Sequence, residues 1–303
     1  LGGVTNLNID AQIIDFTKSV FIPTVGEKVK NAGFTFHRYV VGDPFEGSRM
    51  RYSTVEINDG RQSLGIYNTF SFIIEGKRYA DLTTKIRRRA EGQLTAMLSL
   101  LQTVAENKEQ IMKIVSESRN QLLQESHTSP VWSDIQMEYF LDSTNAVLNF
   151  PIFNLHTWHH EIKELGNFHS LVRVKKSIEQ PEGYVIPADQ GELIKLLERH
   201  RIKMLPLQRD SLIRVEYYLL KHVTTRMEEE MELPYVDVRV KSELHKFGKG
   251  SVIVYLNQPA RLVLPLILEP ESSFSIVAES SGRKYQFDYL KERSVYPIFR
   301  LVK

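Results

Sequence analysis

The feature that most constrains the fold of this chain is a short, mostly apolar run at residues 70–74, Phe-Ser-Phe-Ile-Ile, which ends at Glu75-Gly76. Such a run is typical of a strand that is buried on both faces, as in a parallel sheet. From Asp81 to about Leu123, apolar residues recur at helical spacing, which predicts one long helix with Asp81 as its cap. This order of elements indicates the end of an α/β domain.

The residues before this run predict a helix, a strand and a long loop. A helix over residues 10–32 begins at Asp10 as its N-cap, ends before Gly33 and should be kinked or split by Pro23. Residues 34–41 alternate aromatic with polar side chains, which predicts a strand. Residues 42–65 contain four glycines. A loop of this length in a compact domain is usually functional.

A polar stretch over residues 124–130 predicts a boundary between two domains, residues 1–125 and residues 126–303. Within the second domain, residues 131–180 are rich in predicted strands. Residues 181–303 predict a mixed α/β region. The fold class predicted from the sequence is therefore α/β in both domains.

The mixed region opens with a βαβ-like unit. It consists of a strand over Gly183–Pro187, a helix over Asp189–His200 and a strand over Arg201–Leu207. Such a unit offers a crevice at its strand ends, so residues 181–303 are also considered as an independent small-ligand domain. Further strands are predicted over residues 212–221, 235–241 and 250–256, with a short apolar helix near residues 258–268.

Charge and cysteine content exclude several classes of function. The chain has 39 basic and 37 acidic residues and a net charge of +2, so it lacks the electrostatic footprint of a nucleic-acid-binding protein. It has no cysteine, which excludes disulfides, thiolate catalysis and zinc sites built on sulfur. No run reaches 18 apolar residues, so no transmembrane segment is predicted.

Glu75 is the most informative residue of the sequence. A carboxylate at the carboxyl end of a buried strand lies where open α/β sheets bind their ligands. A half-buried glutamate at such a position is suited to act as a general base. The alternative is a surface glutamate at a strand end that pairs with Lys77 or Arg78.

The segment from Gly60 to Tyr79, which reads GRQSLGIYNTFSFIIEGKRY, resembles the last catalytic segment of zinc metallocarboxypeptidases of the carboxypeptidase A-like family. In that family a buried strand ends in the glutamate that activates the zinc-bound water, and the resemblance assigns this role to Glu75. Tyr79, Asp81 and the long helix are similar to the bacterial branch of the family. Residues 250–259 and 266–271 resemble its C-terminal extension.

The resemblance implies zinc as a cofactor, but the family's ligands are not found in this chain. The family uses a His-x-x-Glu pair and a later histidine, and none of the nine histidines is followed three residues later by Glu or Asp. The chain is therefore expected to be the C-terminal portion of a catalytic domain, an incomplete carboxypeptidase-like mixed sheet, with the extension behind it. A general base alone contributes only about 10²–10⁴-fold, so this portion by itself is expected to be inactive.

Three residues in or near the long loop are candidates for substrate binding. The family uses a mobile tyrosine from this loop, and both Tyr52 and Tyr67 are candidates for it because the spacing does not single one out. Arg61 could pair with a carboxylate through two hydrogen bonds.

Histidines also cluster at His156, His159 and His160, beside Trp158. Two interpretations are open, surface or partly buried histidines and an adventitious metal site. The first is favoured.

The function implied by the resemblance is hydrolysis of a peptide or peptidoglycan-type amide bond by a periplasmic or extracellular peptidase. The alternative is a non-catalytic binding or scaffold module that keeps the fold without the metal. The expected partner is a peptide-like substrate. Because an incomplete α/β domain exposes apolar surface and a strand edge, either self-association through residues 1–125 or association with the missing N-terminal part is also expected.

Overall fold

The computed structural model describes residues 1–42, 49–76, 83, 85–124, 130–144, 146–154, 156–228, 231–278 and 291–302. It confirms the predicted mixed α/β fold, with several sheets and flanking helices. The helices are α1 (Ala11–Phe16), a π-helical turn (Thr17–Phe21), α2 (Ile22–Asn31), α3 (Gly60–Gly65), α4 (Ile86–Glu106), α5 (Lys108–Leu123), α6 (Gly191–Arg199) and α7 (Val263–Leu268). The strands are β1 (Met50–Arg51), β2 (Trp132–Phe140), β3 (Leu148–Asn154), β4 (His159–Leu165), β5 (Phe168–His169), β6 (Leu171–Glu179), β7 (Gly183–Ile186), β8 (Leu205–Pro206), β9 (Ser211–Glu228), β10 (Met231–Phe247), β11 (Val252–Tyr255) and β12 (Phe299–Leu301).

The chain forms two compact units. Unit 1 contains Leu1–Ser118 and Met137–Arg173, and unit 2 contains Arg119–Gln136 and Val174–Lys303. Residues 125–129, where the sequence predicts the domain boundary, lie outside the described residues, and the division into residues 1–125 and 126–303 stays a prediction. Tyr79 and Asp81 also lie outside them.

The first helical stretch of unit 1 follows local signals closely. The Asp10 side chain accepts a hydrogen bond from the Gln12 amide at 2.8 Å, as an N-cap does. The π-helical turn directly precedes α2, whose first turn contains Pro23; since proline has no N–H, a regular ladder cannot run through this point. Gly33 follows the helix with a φ of +80°, which a glycine adopts readily.

The prediction of regular strands at residues 34–41 and 70–74 is wrong. Within the part of the chain that the structure describes, residues 70–74 make a single β-bridge, between Ile73 and Gly2, and residues 34–41 make a single β-bridge, between Val41 and Arg51. The backbone of Leu1 bonds to His37 and Tyr39. Each segment therefore pairs with a neighbouring segment through the backbone of only one or two residues, which is too short for a β-ladder.

The apolar side chains of residues 70–74 pack on the helical stretch. Phe70 and Phe72 contact Phe21 with ring centroids 5.2 and 4.8 Å apart, and Phe70 also contacts Phe16 at 5.7 Å. The apolar run therefore reflects burial against helices instead of burial within a parallel sheet.

The predicted long helix is divided in two. It breaks at Asn107, which has a φ of −115° and donates from its side chain to the Thr103 carbonyl at 2.8 Å. Asparagine competes for backbone groups in this way and favours helix ends.

Unit 2 contains a six-stranded sheet with the order β10-β9-β12-β7-β11-β8. The predicted βαβ-like unit is present in a split form, because β11 lies between β7 and β8 and is antiparallel to both. Strands β9 and β10 form a hairpin that is much longer than predicted, with β10 at the edge of the sheet and a register shift between Asp237 and Val238. The hydrophobic core on this six-stranded sheet includes Val185, Val215, Phe247 and Phe299.

Candidate functional site

Glu75 lies two residues beyond the bridge between Ile73 and Gly2, and its side chain is exposed. It does not end a buried strand, so the half-buried environment expected from the sequence is not found. Lys77 and Arg78, the alternative partners, lie outside the described residues. Burial raises the pKa of the Tyr39 hydroxyl, and the charge of Glu75 raises that pKa further.

Arg61 is close to the same tyrosine but is almost completely buried. Its side chain is only 4% exposed, and its guanidinium lies 4.6 Å from the centre of the Tyr39 ring. The Nε and Nη2 atoms each donate to one oxygen of the Asp59 carboxylate at 3.0 Å. The Asp59 carboxylate therefore fixes the Arg61 guanidinium through two hydrogen bonds. The Nη1 group is buried and has no hydrogen-bond partner among the described residues.

Asp59 has two functions in this arrangement. It is the N-cap of α3 and accepts hydrogen bonds from the amides of Arg61 and Gln62 at 3.0 and 3.4 Å. Partial burial acts to raise the pKa of Asp59, but the hydrogen bonds and charge of Arg61 outweigh it and hold that pKa below its usual value. The carboxylate therefore stays ionised beside the guanidinium.

Gln62 fixes α3 to the first residues of the chain. Its Oε1 accepts from the amides of Thr5 and Asn6 at 3.1 Å, and its Nε2 donates to the Thr5 hydroxyl and the Thr54 carbonyl at 3.0 Å. Gln62 is completely buried. The four hydrogen bonds of the Gln62 side chain thus fix the backbone next to Arg61.

Tyr52 lies in a packed position. Its ring contacts Phe168 edge to face at 4.8 Å, and the Arg38 guanidinium lies 3.5 Å from its centroid. Burial raises the pKa of Tyr139 to about 12, and the charges of Arg38, Arg51 and Arg61 act to lower it.

Tyr67 lies on the turn after α3, where its amide donates to the Leu64 carbonyl at 3.3 Å and burial raises its hydroxyl pKa. The structure therefore packs Arg61 against the Tyr39 ring, the charge of Glu75 acts on the same tyrosine, and Tyr52 packs against Arg38 and Phe168. Tyr39 and Asp59 were missed by the sequence analysis. Asp59 carried a local signal, since an aspartate before the first turn of a helix is a favoured N-cap, whereas Tyr39 joins the group only through tertiary contacts.

A second polar cluster, also missed, is buried in unit 2. The side chain of Glu269, only 1% exposed, accepts from the Tyr184 hydroxyl at 2.8 Å and from the Tyr218 hydroxyl. The Nε of Arg300 lies 3.4 Å from the same carboxylate, and its Nη1 donates to Glu216 at 2.9 Å.

Burial raises the pKa of Glu269. Burial, followed by the charge of Glu269, raises the pKa values of Tyr184 and Tyr218. Because both carboxylate oxygens are occupied by protein donors, this cluster connects strands and is not an open site.

The described residues do not fit a zinc site. In the ranges given above, no three His, Cys, Asp or Glu side chains lie together so that they could hold a metal ion. His156 and His159 are exposed, and His160 packs on Phe153 with centroids 5.0 Å apart. Among the same residues, no helix has the length and apolar character that a bilayer-crossing segment requires.

Comparison with known proteins gives distant relatives of a single kind. The chain is similar to Carboxypeptidase 2 of Trichophyton tonsurans, with 23% identity over 313 residues, and to Carboxypeptidase 2 of Trichophyton rubrum, with 24% identity over 316 residues. Each match covers 98% of this chain and 53% of the relative, so the chain spans about half the length of the curated relatives it matches. No family model and no solved structure matches the chain. The relatives support a carboxypeptidase-like family, and because they are fungal, the bacterial branch stays a prediction.

Proposed function

We propose that this chain is the C-terminal portion of a carboxypeptidase-like peptidase that hydrolyses a peptide or peptidoglycan-type amide bond. The observation that carries the proposal is the similarity to carboxypeptidases over 98% of the chain, combined with a solvent-exposed carboxylate at Glu75. The location that goes with this proposal, from the resemblance alone, is periplasmic or extracellular.

Glu75 is proposed as the general base. Its carboxylate is open to solvent, so it can take a proton from water and return it to a leaving amine. Burial and the charge of Glu75 raise the pKa of the Tyr39 hydroxyl, and the charge of Arg61 lowers it. In this proposal zinc is the cofactor of the complete enzyme, and the described residues of this chain supply no set of ligands for it.

Arg61 and Tyr52 are proposed to support the substrate side of the site. The Nη1 of Arg61 has no hydrogen-bond partner among the described residues, but it is buried and would donate to an anionic group only after the packing over it opens, while the bidentate pair with Asp59 fixes the guanidinium plane. Tyr52 is held between Arg38 and Phe168 and would contact a substrate only after it leaves this packing. Tyr67 stays a weaker candidate for the same role.

The test is Glu75→Gln in the longest natural polypeptide that contains these 303 residues. Release of the C-terminal amino acid from blocked peptides is followed by mass spectrometry, with Glu27→Gln, another exposed glutamate of unit 1, as the matched control. Loss of the base should lower kcat about 10²–10⁴-fold with little change in KM. Equal activity of Glu75→Gln and the control would refute the assignment.

A second candidate is a non-catalytic module that binds peptide-like ligands. The tight internal pairing of Arg61 with Asp59 favours it, because this arginine then has a structural partner. Titration calorimetry with peptides that have a free or an amidated C-terminus separates the two functions. Binding without any product release, unaffected by Glu75→Gln, would support the module.

A further inference from the structure

Leu1 and Gly2 of unit 1 lie between two other segments of the chain and pair with both. The Leu1 amino group donates to the His37 carbonyl at 3.1 Å, and the Tyr39 amide donates to the Leu1 carbonyl at 2.9 Å. Bonds to the two residues that flank one position are the pattern of a parallel pair. On the other side, Gly2 and Ile73 exchange both of their backbone hydrogen bonds, at 3.0 and 2.9 Å, as in an antiparallel pair. Leu1 and Gly2 therefore lie in a central strand that has a neighbour on each side.

Both neighbouring segments continue beyond the point at which Leu1 begins. Because one pair is parallel and the other antiparallel, the two segments run in opposite directions past this point. When the register of the two pairs is extended backwards from Leu1, it lies beside residues 34–37 on one side and beside residues 74–76 on the other. The two stretches therefore flank the path of any residue that precedes Leu1.

Helix α4 supports both stretches at the same turn. A Cβ atom added at Gly92 would lie 3.1 Å from the Phe34 ring, so this ring packs on the backbone of the helix. A Cβ atom added at Gly76 would lie 2.6 Å from the side chain of Gln93, the next residue of α4. One turn of α4 therefore contacts both stretches, and the path before Leu1 runs between them.

The backbone groups that face this path are unused. In a β-ladder, the residues that bond to one neighbour alternate along a strand. By this alternation the Thr35 carbonyl and the His37 amide face the path on one side, and the amide and carbonyl of Glu75 face it on the other. None of these groups has a backbone hydrogen bond within the part of the chain that the structure describes. Unpaired backbone groups along an extended segment are a template on which another strand adds.

The side chains beside this path divide into an apolar and a polar face. Leu1 is buried in a cluster with residues of α2 and α4, and the partly buried side chains of Phe36 and Ile74 pack against the same cluster. His37 and Glu75, on the opposite face, are exposed. Since residues two apart share a face of a strand, the second residue before Leu1 would lie on the apolar face beside Phe36. An added strand would thus bury every second side chain against these helices.

A peptide bond suits the position of the Leu1 amino group better than a free amine does. Burial lowers the pKa of this amino group, while the charge of Glu75 acts to raise it. A charged ammonium is costly to bury, whereas a peptide N–H makes the same hydrogen bond to the His37 carbonyl without a charge. A preceding residue would therefore keep the bond and remove the cost.

We propose that the residues directly before Leu1 in the longer polypeptide form a strand of about four residues between residues 34–37 and residues 74–76. The inference rests on the proposed function, in which this chain is the C-terminal portion of a peptidase, and it names the surface that the remaining portion occupies. The chain spans about half the length of its curated relatives, which leaves ample length for such a segment. The residue directly before Leu1 then pairs with Glu75 through two backbone hydrogen bonds, which fixes the backbone of the proposed general base.

The first test compares amide hydrogen exchange in the 303-residue chain and in the longest natural polypeptide that contains it. Mass spectrometry with fragmentation to single residues follows the exchange. The amides of His37 and Glu75 should exchange about 100-fold or more slowly in the longer polypeptide, since both gain a partner in the added strand. The amides of Gly2 and Ile73 are the matched controls, because they are already bonded and should exchange slowly in both.

The second test determines the register in the longer polypeptide alone. Cysteine at the position directly before Leu1, combined with Glu75→Cys, should form a disulfide on mild oxidation, because opposed residues of such a pair have Cα atoms about 5.5 Å apart. The same cysteine combined with Ile73→Cys is the matched control, since that diagonal pair lies about 7–8 Å apart and should not be bridged. The 303 residues contain no cysteine, and any cysteine elsewhere in the polypeptide is replaced by serine.

Unchanged exchange at His37 and Glu75 would overturn the proposal, and so would a disulfide with Ile73→Cys in place of Glu75→Cys. A charged residue at the second position before Leu1 would also overturn it, because that side chain would be buried. Neither test requires activity, so failure of this inference is distinct from failure of the proposed function. A longer polypeptide that hydrolyses peptides without the added protection refutes only the strand, and one that shows the protection and the disulfide without hydrolysis refutes only the peptidase.

Discussion

Glu75 in unit 1 and Glu269 in unit 2 follow nearly the same sequence pattern and have opposite environments. Glu75 follows the apolar residues Phe-Ile-Ile and precedes a glycine. Glu269 follows the apolar residues Leu-Ile-Leu and precedes a proline. Glu75 is exposed two residues after the bridge between Ile73 and Gly2, whereas Glu269 is buried after α7 and accepts hydrogen bonds from two tyrosines beside Arg300. An apolar run before a glutamate therefore predicts burial of the run only. Whether the carboxylate itself is exposed or buried depends on its tertiary neighbours.

The difference separates two tasks that a carboxylate can have. A buried carboxylate with every oxygen occupied stabilises the packing around it and cannot reach a substrate. An exposed one contributes little to stability and is free for chemistry. Only substitutions that measure stability and activity together can show whether the two glutamates divide these tasks.

The largest expected effect is that of Glu269→Ala. It removes the acceptor of two buried tyrosine hydroxyls and the anionic neighbour of the Arg300 guanidinium, which keeps its hydrogen bond to Glu216, and this should cost about 3–5 kcal/mol of folding free energy. Glu75→Ala should change it by less than about 0.5 kcal/mol. Hydrogen exchange read by mass spectrometry checks both, with faster exchange in peptides of unit 2 for Glu269→Ala alone. Similar exchange in the two variants would contradict the comparison.

A smaller effect is expected for Asp59→Ala in unit 1. It removes the cap of α3 and leaves the buried Arg61 guanidinium without its bidentate partner, which should cost about 2–3 kcal/mol. Peptides around residues 54–66 should then exchange faster, and those of unit 2 should not. Asp59→Asn keeps the capping oxygen and is the control; it should recover roughly 1 kcal/mol of the loss.

The smallest expected effect is a dependence on pH. Burial raises the pKa of Glu269 above its ordinary value of 4.5, so the carboxyl contributes stability that is fully present below 4.5 and is lost as the pH rises through the higher folded value. The stability of the wild type relative to Glu269→Gln should therefore fall as the pH rises from 4.5. Chemical unfolding at a series of pH values measures this difference, and a difference that grows with pH would show that Arg300 and the tyrosines outweigh burial.

Local signals were sufficient for part of the fold. The cap at Asp10, the break at Pro23 and the left-handed Gly33 follow from the chemistry of single residues. The βαβ-like unit also follows from its pattern, but the insertion of β11 into it depends on a strand more than fifty residues away along the chain.

The candidate site was less predictable. Glu75 and Arg61 were predicted from sequence and stay predictions as site residues, but their environments were not foreseen, because Tyr39 packs on Arg61 through a tertiary contact. The strands predicted at residues 34–41 and 70–74 were wrong. Alternating and continuous apolar patterns indicate that side chains are buried, but a β-ladder also requires a neighbouring segment of matching length. The convergence of Tyr184, Tyr218 and Arg300 on Glu269 joins residues up to 116 positions apart and leaves no local trace.

The long hairpin has a consequence for solubility. Its outer strand β10 has a neighbour on one side only in the sheet that the structure describes, and such a strand can add the chain of another molecule and start a fibre. The register shift after Asp237 and the exposed charges of Arg239, Lys241 and Glu243 obstruct that addition. The register shift and the exposed charges therefore protect this edge from pairing with another chain. A variant that lost both would be prone to amyloid-like assembly.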